Sequence, residues 1–215
     1  MYADRAVLAS ARRAADLWNA ALASNPRAFD AAWKLARVDY WLGGHAPEPE
    51  RRAFLENGIA AGRKAVALEP KRPEGHFWIG ANMGALAESF GLRAGLKYRG
   101  SIKDELETVI RLDPLFQQGS GYRALGRWYY KVPGLFGGSN KLSEENLRAA
   151  LKINPNSTAS HYYLAELLLD EGRKAEAREE AQRVLDAPLD PLWGPEDQDF
   201  KAKARLLLVR IKPAP

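Results

Sequence analysis

An acidic or amide residue followed by proline recurs along the chain, each time after a helical pattern of apolar residues. Proline disfavours helical geometry in the residue before it, so each pair ends one helix. Its fixed φ angle and missing N–H also suit the first turn of the next helix. The intervals of 44, 44 and 41 residues predict a stacked architecture of helix pairs. The four corners are Asn25-Pro26, Glu69-Pro70, Asp113-Pro114 and Asn154-Pro155.

A second pattern follows each proline. It consists of an aromatic residue or histidine, an apolar residue three positions on, a small residue or arginine next, and a bulky residue three further on. These spacings place the four side chains on one helical face. A small third residue lets the partner helix approach closely, so we predict that Gly126 and Ala165 are buried at helix–helix contacts. The four instances are Trp33/Ala36/Arg37/Tyr40, His76/Ile79/Gly80/Met83, Tyr122/Leu125/Gly126/Tyr129 and His161/Leu164/Ala165/Leu168.

Apolar periodicity predicts an all-helical chain without strands, folded as a single repeat domain over residues 1–215. The first and last helices lie outside complete pairs, and we expect them to cap the stack. Three insertions are predicted to form loops, at Gly43 to Glu50, Glu88 to Gly100 and Val132 to Leu142. The predicted helices are 3–24, 28–42, 50–68, 74–90, 101–112, 117–131, 142–152, 157–171, 174–186 and 195–210.

The last helix pair resembles a tetratricopeptide repeat (TPR) over its full length. The resemblance implies an all-α fold, a right-handed α-α superhelix (solenoid) of about four TPR-like helix pairs with capping helices. The residues that carry it are Leu164, Ala165, Leu168, the turn residue Gly172, Ala177, Ala181, Val184 and Leu185.

Two further segments, Leu96–Gly100 (LKYRG) and Leu125–Gly138 (LGRWYYKVPGLFGG), are similar to the bacterial TRAP-transporter T component (TatT-like) proteins. They also resemble the related repeat domain of the eukaryotic regulators of microtubule dynamics. The resemblance covers about the central and C-terminal two thirds of the chain. It implies a non-enzymatic helical protein. In the TatT-like group it further implies a periplasmic or lipid-anchored protein that forms oligomers and accompanies a solute-binding protein.

Composition and charge argue against a membrane-spanning protein and against a nucleic-acid-binding protein. A hydrophobic share of 46% and a charged share of 27% are typical of a folded soluble protein. The longest uncharged apolar stretch, Gly75 to Ala87, is shorter than the roughly 20 residues that span a bilayer, so no transmembrane segment is expected. The net charge of +5 is spread along the chain without a dense basic tract, and nucleic acid is therefore not a predicted partner.

The cellular compartment is predicted only from the resemblance to the TatT-like proteins. The chain contains no cysteine, which fits an oxidising or a reducing compartment equally and excludes disulfides and thiolate metal sites. Its first residues show no signal-peptide pattern, although Met1 is compatible with a start placed after a removed leader. We expect a periplasmic protein, and a cytoplasmic location stays open.

Sequence motifs for catalysis, metals and cofactors are not found. The glycine-rich run Gly134 to Lys141 follows a helix and lacks the Gly-Lys-Ser/Thr ending of a phosphate loop, so it is predicted to be a connector. No His-x-x-x-His pair indicates zinc, and His76 and His161 occupy packing positions. Acidic residues between Asp186 and Asp199 lack the regular spacing of a calcium loop. Neither a metal nor a cofactor is predicted.

The candidate site rests on the TPR resemblance, because in that family the first helix of each pair lines the concave surface. Arg123, Arg127 and Lys131 then form a cationic stripe at four-residue spacing, with Tyr130 beside it. An acidic partner would relieve the repulsion between these cations. Alternatively, Glu166 or another acidic residue of the adjacent helix neutralises the stripe. Neighbouring first helices add Lys34, Trp41, Phe77 and Tyr162, with Val38, Ala81 and Glu166.

These observations predict a binding or accessory protein, associated with a TRAP transporter, that recognises an amphipathic anion or an acidic peptide in a concave groove. The alternative is a protein–protein interaction scaffold without a small ligand. Predicted partners include a periplasmic solute-binding protein and further copies of the chain. Residues 88–100 and 132–141 are expected to border the groove or a subunit contact, with Phe90, Tyr98 and Phe136 as anchors.

Overall fold

The computed structural model describes residues 2–211, apart from the side chains of residues 92–94. Within that range the regular structure is ten α-helices and two short 3-10 turns, without any strand, which confirms the predicted all-α class. The 3-10 turns are Tyr2–Asp4 and Gly134–Phe136. The helices are α1 (Leu8–Ser24), α2 (Phe29–His45), α3 (Glu48–Leu68), α4 (Pro73–Ser89), α5 (Leu92–Leu112), α6 (Ser120–Lys131), α7 (Asn140–Ile153), α8 (Thr158–Asp170), α9 (Lys174–Asp186) and α10 (Gly194–Arg210).

The first predicted insertion, Gly43 to Glu50, is wrong as a loop. Helix α2 continues to His45 and α3 begins at Glu48, so only Ala46 and Pro47 separate the two helices. Pro47 lies directly before α3 and Pro49 lies in its first turn. Neither proline disrupts the helix, because backbone N–H groups at these positions have no partner within the helix. The glycines and prolines of this segment therefore do not interrupt the helical hairpin.

The second predicted insertion, Glu88 to Gly100, is also largely helical. Helix α5 begins at Leu92, directly after Gly91, whose φ of +79° favours glycine. Gly95 and Gly100 lie inside α5, and a Cβ built at either position would meet no atom within 4 Å. Glycine weakens a helix by only about 1 kcal/mol relative to alanine, which packing of α5 against α4 offsets. The insertion therefore lengthens a helix instead of forming a loop.

The third predicted insertion is a connector, as expected. Val132 to Ser139 join α6 to α7 through the 3-10 turn at Gly134–Phe136. Ser139 then caps α7, because its side-chain oxygen accepts a hydrogen bond from the backbone N–H of Leu142. Leu135, at the turn, is 90% exposed.

The chain divides into two compact units, residues 1–114 (unit 1) and 115–215 (unit 2). In unit 1, α2 pairs with α3 and α4 with α5, while α1 packs against α2. In unit 2, α6 pairs with α7 and α8 with α9, while α10 packs against both α8 and α9. Four helical hairpins and two additional helices thus account for the ten elements, in agreement with the predicted pairing.

Small residues lie at the helix contacts where the sequence pattern placed them. A Cβ added to Gly126 would lie 2.8 Å from Leu147 Cγ, and Ala165 is completely buried. Ser143 fixes the same contact, because its hydroxyl donates to the carbonyl of Gly126 at 2.8 Å. The prediction that Gly126 and Ala165 are buried at close helix contacts is confirmed.

Candidate binding surface

Each unit contains one histidine that connects a helical hairpin to the proline corner before it, and the two histidines make the same pair of contacts. His76 Nδ1 lies 2.5 Å from a carboxylate oxygen of Glu105, and Nε2 lies 3.0 Å from the carbonyl oxygen of Pro70. Both neighbouring groups are acceptors when Glu105 is ionised, so the doubly protonated ring satisfies both contacts. The hydrogen bond to Glu105 accordingly raises the pKa of His76 above its ordinary value. His76 joins both helices of its hairpin to the preceding corner.

His161 repeats this arrangement in unit 2. Its Nδ1 lies 2.5 Å from Glu180, and its Nε2 lies 2.8 Å from the carbonyl oxygen of Pro155. Arg183 also donates to Glu180, at 2.7 Å. The two histidines therefore have structural roles, in agreement with their place in the packing pattern.

A fifth corner, which the sequence analysis missed, precedes α10. Asp190-Pro191 follows Pro155 by 36 residues, and Asp197 stands six residues after Pro191, as His161 does after Pro155. The buried Asp197 accepts a hydrogen bond from Thr158 Oγ1 at 2.5 Å and another from the backbone N–H of Asp190 at 2.8 Å. The Asp190-Pro191 pair is the sequence signal from which this corner could have been predicted. Helix α10 is thus placed like the first helix of another hairpin.

An ion pair occupies the middle of the predicted cationic stripe. Arg127 on α6 lies 2.5 Å from the carboxylate of Glu166 on α8, and both side chains are less than one-fifth exposed, at 16% and 17%. The guanidinium also lies 4.5 Å from the ring centroid of Tyr163. One helical turn on, the hydroxyl of Tyr130 donates to the carboxylate of Asp170. The charge of Arg127 is therefore balanced within unit 2, as the alternative interpretation of the stripe expected.

Half-buried aromatic rings surround this ion pair. Phe200 on α10 lies 5.6 Å from the ring of Tyr162 and 5.4 Å from the ring of Tyr163. Lys203 Nζ lies 5.0 Å from the Phe200 centroid. Burial raises the pKa of Tyr162 to about 12, so its hydroxyl stays protonated near neutral pH. We call the face formed by Tyr130, Tyr162, Tyr163 and Phe200 the aromatic surface.

The other predicted site residues of unit 2 lie on the same helix as Arg127. Lys131 is exposed, and its Nζ lies 4.7 Å from the ring centroid of Tyr130. Arg123 is half-buried. The structure thus places Arg127, Tyr130, Lys131 and Tyr162 around one face of unit 2. A ligand on that face stays a prediction.

In unit 1 the predicted aromatic lining belongs to the core. Trp41 is only 4% exposed, and its indole N–H donates to the carbonyl of Arg5 at 2.8 Å. Phe77 is 7% exposed and packs edge-on against Trp78. Lys34 forms an ion pair with Asp30 at 2.9 Å. Trp41 and Phe77 were expected to face a groove, and this is wrong because neighbouring segments cover them.

Arg5, a residue without a predicted role, packs against the Trp41 ring. Its side chain is 2% exposed, and its guanidinium lies 4.6 Å from the ring centroid of Tyr2 and 5.3 Å from that of Trp41. Residues just before α1 therefore close the surface that the repeat pattern alone leaves open.

Among the described residues there is neither a candidate metal site nor a candidate membrane-spanning helix. Residues 2–211 contain no group of three or more His, Cys, Asp or Glu side chains placed to hold a metal ion. Among those same residues, no helix combines the length and apolar character needed to cross a bilayer.

Stacked helical hairpins with proline corners and a partly exposed aromatic face define a protein of the TPR class. The tetratricopeptide repeat family model matches residues 141–194. The model described as Regulator of microtubule dynamics protein 1-3 matches residues 2–136, which is more than half of the chain. The chain belongs to that family. The match includes the N-terminal segment, whereas the resemblance was expected over the central and C-terminal two thirds of the chain.

Curated relatives agree with this assignment at low identity. Regulator of microtubule dynamics protein 3 from Rattus norvegicus is 26% identical over 166 residues, which are 69% of this chain and 35% of the relative. The protein of the same name from Bos taurus is 26% identical over 176 residues, 74% of this chain and 37% of the relative. The chain therefore spans little more than a third of these relatives.

Solved structures confirm the TPR fold. A thermophilic TPR protein from Thermus thermophilus aligns with a TM-score of 0.72 and 22% identity, over 97% of this chain and 95% of that one. YrrB, described as a TPR protein with an unusual peptide-binding site, aligns with a TM-score of 0.52 and 19% identity, over 93% and 94% of the two chains. These likenesses concern the fold alone.

Proposed function

We propose that this protein is a protein–protein interaction scaffold that binds a segment of a partner on the aromatic surface of unit 2. The proposal rests on one observation: the aromatic rings of this surface are partly exposed, while the charge of Arg127 is already balanced by a carboxylate of the same unit. Tyr162, Tyr163 and Phe200 remain half-exposed, while Glu166 already pairs with Arg127. Tyrosine and arginine are among the residue types that dominate binding energy in protein interfaces.

A small anion fits this surface less well than a peptide. An anion that bound Arg127 would have to displace Glu166, which would leave a largely buried carboxylate without its partner, at a cost of several kcal/mol. A peptide can instead place apolar side chains against the rings and leave the ion pair intact. The exposed Lys131 and Lys203 then attract acidic residues of the partner at the edge of the surface.

The narrower candidate is a periplasmic TRAP-associated protein that binds an amphipathic anion, works beside a solute-binding protein and forms oligomers. It is supported by the similarity of Leu96–Gly100 and Leu125–Gly138 to the TatT-like proteins and by the exposed cation of Lys131. Native mass spectrometry of the purified protein tests it. A bound anion that is lost in Arg127→Ala, without loss of thermal stability, would favour this candidate over the scaffold.

The scaffold is tested by site-specific photo-crosslinking in the host cell, with Tyr162→p-benzoylphenylalanine as the probe and Leu189→p-benzoylphenylalanine as the control. We expect a protein adduct only with the probe at position 162. Calorimetry with the purified partner should then show binding about tenfold or more weaker for Phe200→Ala, the range of an interface hot spot, and unchanged binding for Leu189→Ala. A partner that binds both variants equally would refute the aromatic surface as its site.

A further inference from the structure

Four side chains of α2 stand at four-residue spacing along one side of the helix. They are Trp33, Arg37, Trp41 and His45, and we call them the stacking stripe. The Arg37 guanidinium lies 5.0 Å from the ring centroid of Trp33. The rings of Trp41 and His45 are stacked, with their centroids 3.6 Å apart. Between Arg37 and Trp41, the stripe is completed by side chains from another segment of unit 1.

Tyr2 and Arg5, from the segment before α1, lie between Arg37 and Trp41. The Arg37 guanidinium lies 3.8 Å from the ring centroid of Tyr2, and the Arg5 guanidinium lies 4.6 Å from the same centroid. Arg5 in turn lies 5.3 Å from the ring centroid of Trp41. Cations and rings thus alternate in one continuous stack, in which the electron-rich face of each ring attracts a guanidinium.

Residues 2–5 contact the stacking stripe as a short linear peptide does. Tyr2 and Arg5 contact α2, whereas Ala3 and Asp4 are exposed. The turn that brings the two side chains together is closed within the segment, because the backbone N–H of Arg5 donates to the carbonyl of Tyr2 at 3.1 Å. The indole N–H of Trp41 donates to the carbonyl of Arg5 at 2.8 Å. These contacts require a ring, an arginine three residues later and one backbone carbonyl.

We propose that the stacking stripe is a second peptide-binding site, which residues 2–5 occupy as an internal ligand. The partner is a protein segment in which an aromatic residue is followed three positions later by arginine, because the internal segment shows the chemistry that the stripe accepts. Tryptophan, tyrosine and arginine form both sides of this contact, and they are the residue types that dominate binding energy in protein interfaces. The partner segment replaces residues 2–5, so Trp41 is covered in the free protein and in the complex.

The internal segment sets how tightly a partner segment has to bind. A short tether holds residues 2–5 at an effective concentration of roughly millimolar, against which a separate peptide competes. Weakening the internal segment therefore strengthens binding of the partner segment, which loss of a purely structural contact does not do. The site lies within unit 1 and does not use the aromatic surface of unit 2, so it stands or falls separately from the proposed function.

The test uses the peptide Tyr-Ala-Asp-Arg-Ala-Val, which copies residues 2–7 and carries a fluorescent label after its last residue. Fluorescence anisotropy should show this peptide binding the full chain with Tyr2→Ala and Arg5→Ala at least about tenfold more tightly than it binds wild type. The variant with Ala3→Ser and Ala6→Ser, at exposed positions of the same segment, is the matched control and should bind as weakly as wild type. Equal binding to the three proteins, or no binding to the first variant, overturns the proposal.

Tyr2→Ala alone keeps the test valid if removal of the buried Arg5 destabilises unit 1. Tyr2 is half-buried, and its loss should give the same preference for the labelled peptide to a smaller degree. A thermal melt of each variant establishes that it folds. A folded Tyr2→Ala variant that binds the peptide no better than wild type contradicts an internal ligand.

Changes in the peptide and in the stripe show which contacts are used. Alanine in place of the peptide's tyrosine or arginine should weaken binding about tenfold or more, whereas asparagine in place of its aspartate should not. In the background of Tyr2→Ala and Arg5→Ala, Arg37→Gln should weaken binding to a similar degree, because it removes one cation from the stack. Phe200→Ala in that background should leave binding unchanged. Loss of binding in Phe200→Ala but not in Arg37→Gln would place the peptide on the aromatic surface, refuting this inference and leaving the proposed function in place.

Hydrogen exchange separates an internal ligand from a structural contact. The indole N–H of Trp41 should exchange with solvent about tenfold or more faster in the variant with Tyr2→Ala and Arg5→Ala, because the hydrogen bond to residue 5 is weakened. Two-dimensional NMR measures this exchange, and Trp41→Phe assigns the signal. Added peptide should restore slow exchange. Fast exchange that the peptide does not reverse would mean that residues 2–5 have a structural role alone, and a wild-type dimer that this variant loses would identify a second copy as the occupant; either result refutes the proposal.

Discussion

Units 1 and 2 are built from the same helical hairpin but bury different chemistry at their helix contacts. In unit 1, glycines at α3 bring α4 very close, since a Cβ on Gly58 would lie 2.3 Å from Asn82 Oδ1 and one on Gly62 would lie 2.7 Å from Ile79. In unit 2 one contact is similarly close, since a Cβ on Gly126 would lie 2.8 Å from Leu147, whereas Ala165 packs among leucines such as Leu168. The shared spacing therefore fixes where helices meet, while the residue types decide how closely.

The buried polar groups differ as well. Unit 1 buries Asp39 at 3% exposure and Asn82 completely, and Asn82 uses its amide to donate to Ala36 and Trp78 carbonyls. In unit 2 the buried Asp197 and Glu180 both have hydrogen-bond partners on neighbouring helices. Burying a carboxyl group costs free energy unless it is paired or protonated. The two units should therefore respond differently to pH and to removal of a carboxylate.

The largest expected effect comes from breaking the histidine–glutamate pairs. Glu180→Ala leaves His161 buried beside an empty position and should destabilise unit 2 by about 3 kcal/mol. Glu105→Ala should cost less, about 1 kcal/mol, because the side chain of Glu105 is 24% exposed and that of Glu180 only 7%. Urea unfolding measures both variants, with the exposed Glu179→Ala as the control. Equal losses for the two variants would mean that exposure does not distinguish the pairs.

A pH effect of a few kcal/mol is expected from Asp39. Burial raises the pKa of its carboxyl group from 3.8 to about 7 in the folded protein. Since the folded state then holds the proton more tightly, the stability linked to Asp39 is complete below about pH 4 and declines as pH rises to about 7. Asp39→Asn should remove this decline.

The measurement is the free energy of unfolding of wild type and Asp39→Asn between pH 4 and pH 7. The advantage of the variant should grow with pH by up to about 1.4 kcal/mol per pH unit, the limit for one proton. Asp16→Asn, at an exposed position of α1, is the control and should leave the slope unchanged. A constant difference between wild type and Asp39→Asn would show that the carboxyl group ionises normally.

Ala165→Leu tests the packing of unit 2. The alanine is completely buried among leucines, so the added atoms should overpack the contact and cost about 1 to 3 kcal/mol. The change is detected as a lower melting temperature. Ala175→Leu, at an exposed position of α9, is the control. An unchanged melting temperature for Ala165→Leu would contradict the tight contact.

The smallest effect distinguishes two glycines of unit 1. A Cβ on Gly84 meets no atom within 4 Å, so Gly84→Ala should stabilise α4 by about 0.5 to 1 kcal/mol through the smaller entropy of the unfolded chain. Gly58→Ala should destabilise the protein, because the new Cβ would displace Asn82. Chemical denaturation of both variants gives the comparison. The same sign of change for both would mean that α3 and α4 can move apart.

Part of the candidate surface was readable from the sequence. Spacing of four placed Arg127 and Lys131 on one side of α6, and the TPR resemblance directed that side toward Tyr162 and Glu166. The pairing of Arg127 with Glu166 follows only from the distance between α6 and α8. Phe200 was missed because the corner at Asp190-Pro191 was not recognised, and this corner is what brings α10 beside α8.

The sequence by itself determined the helices, the corners and the small contact residues, because proline geometry and apolar periodicity act over a few neighbouring residues. It misplaced helix ends at Gly43 to Glu50 and Glu88 to Gly100, where glycine and proline are tolerated by a helix that packing stabilises. Only the tertiary structure decided which side chains are covered. Trp41 is buried by Arg5, 36 residues earlier, and no local pattern specifies a contact over that separation.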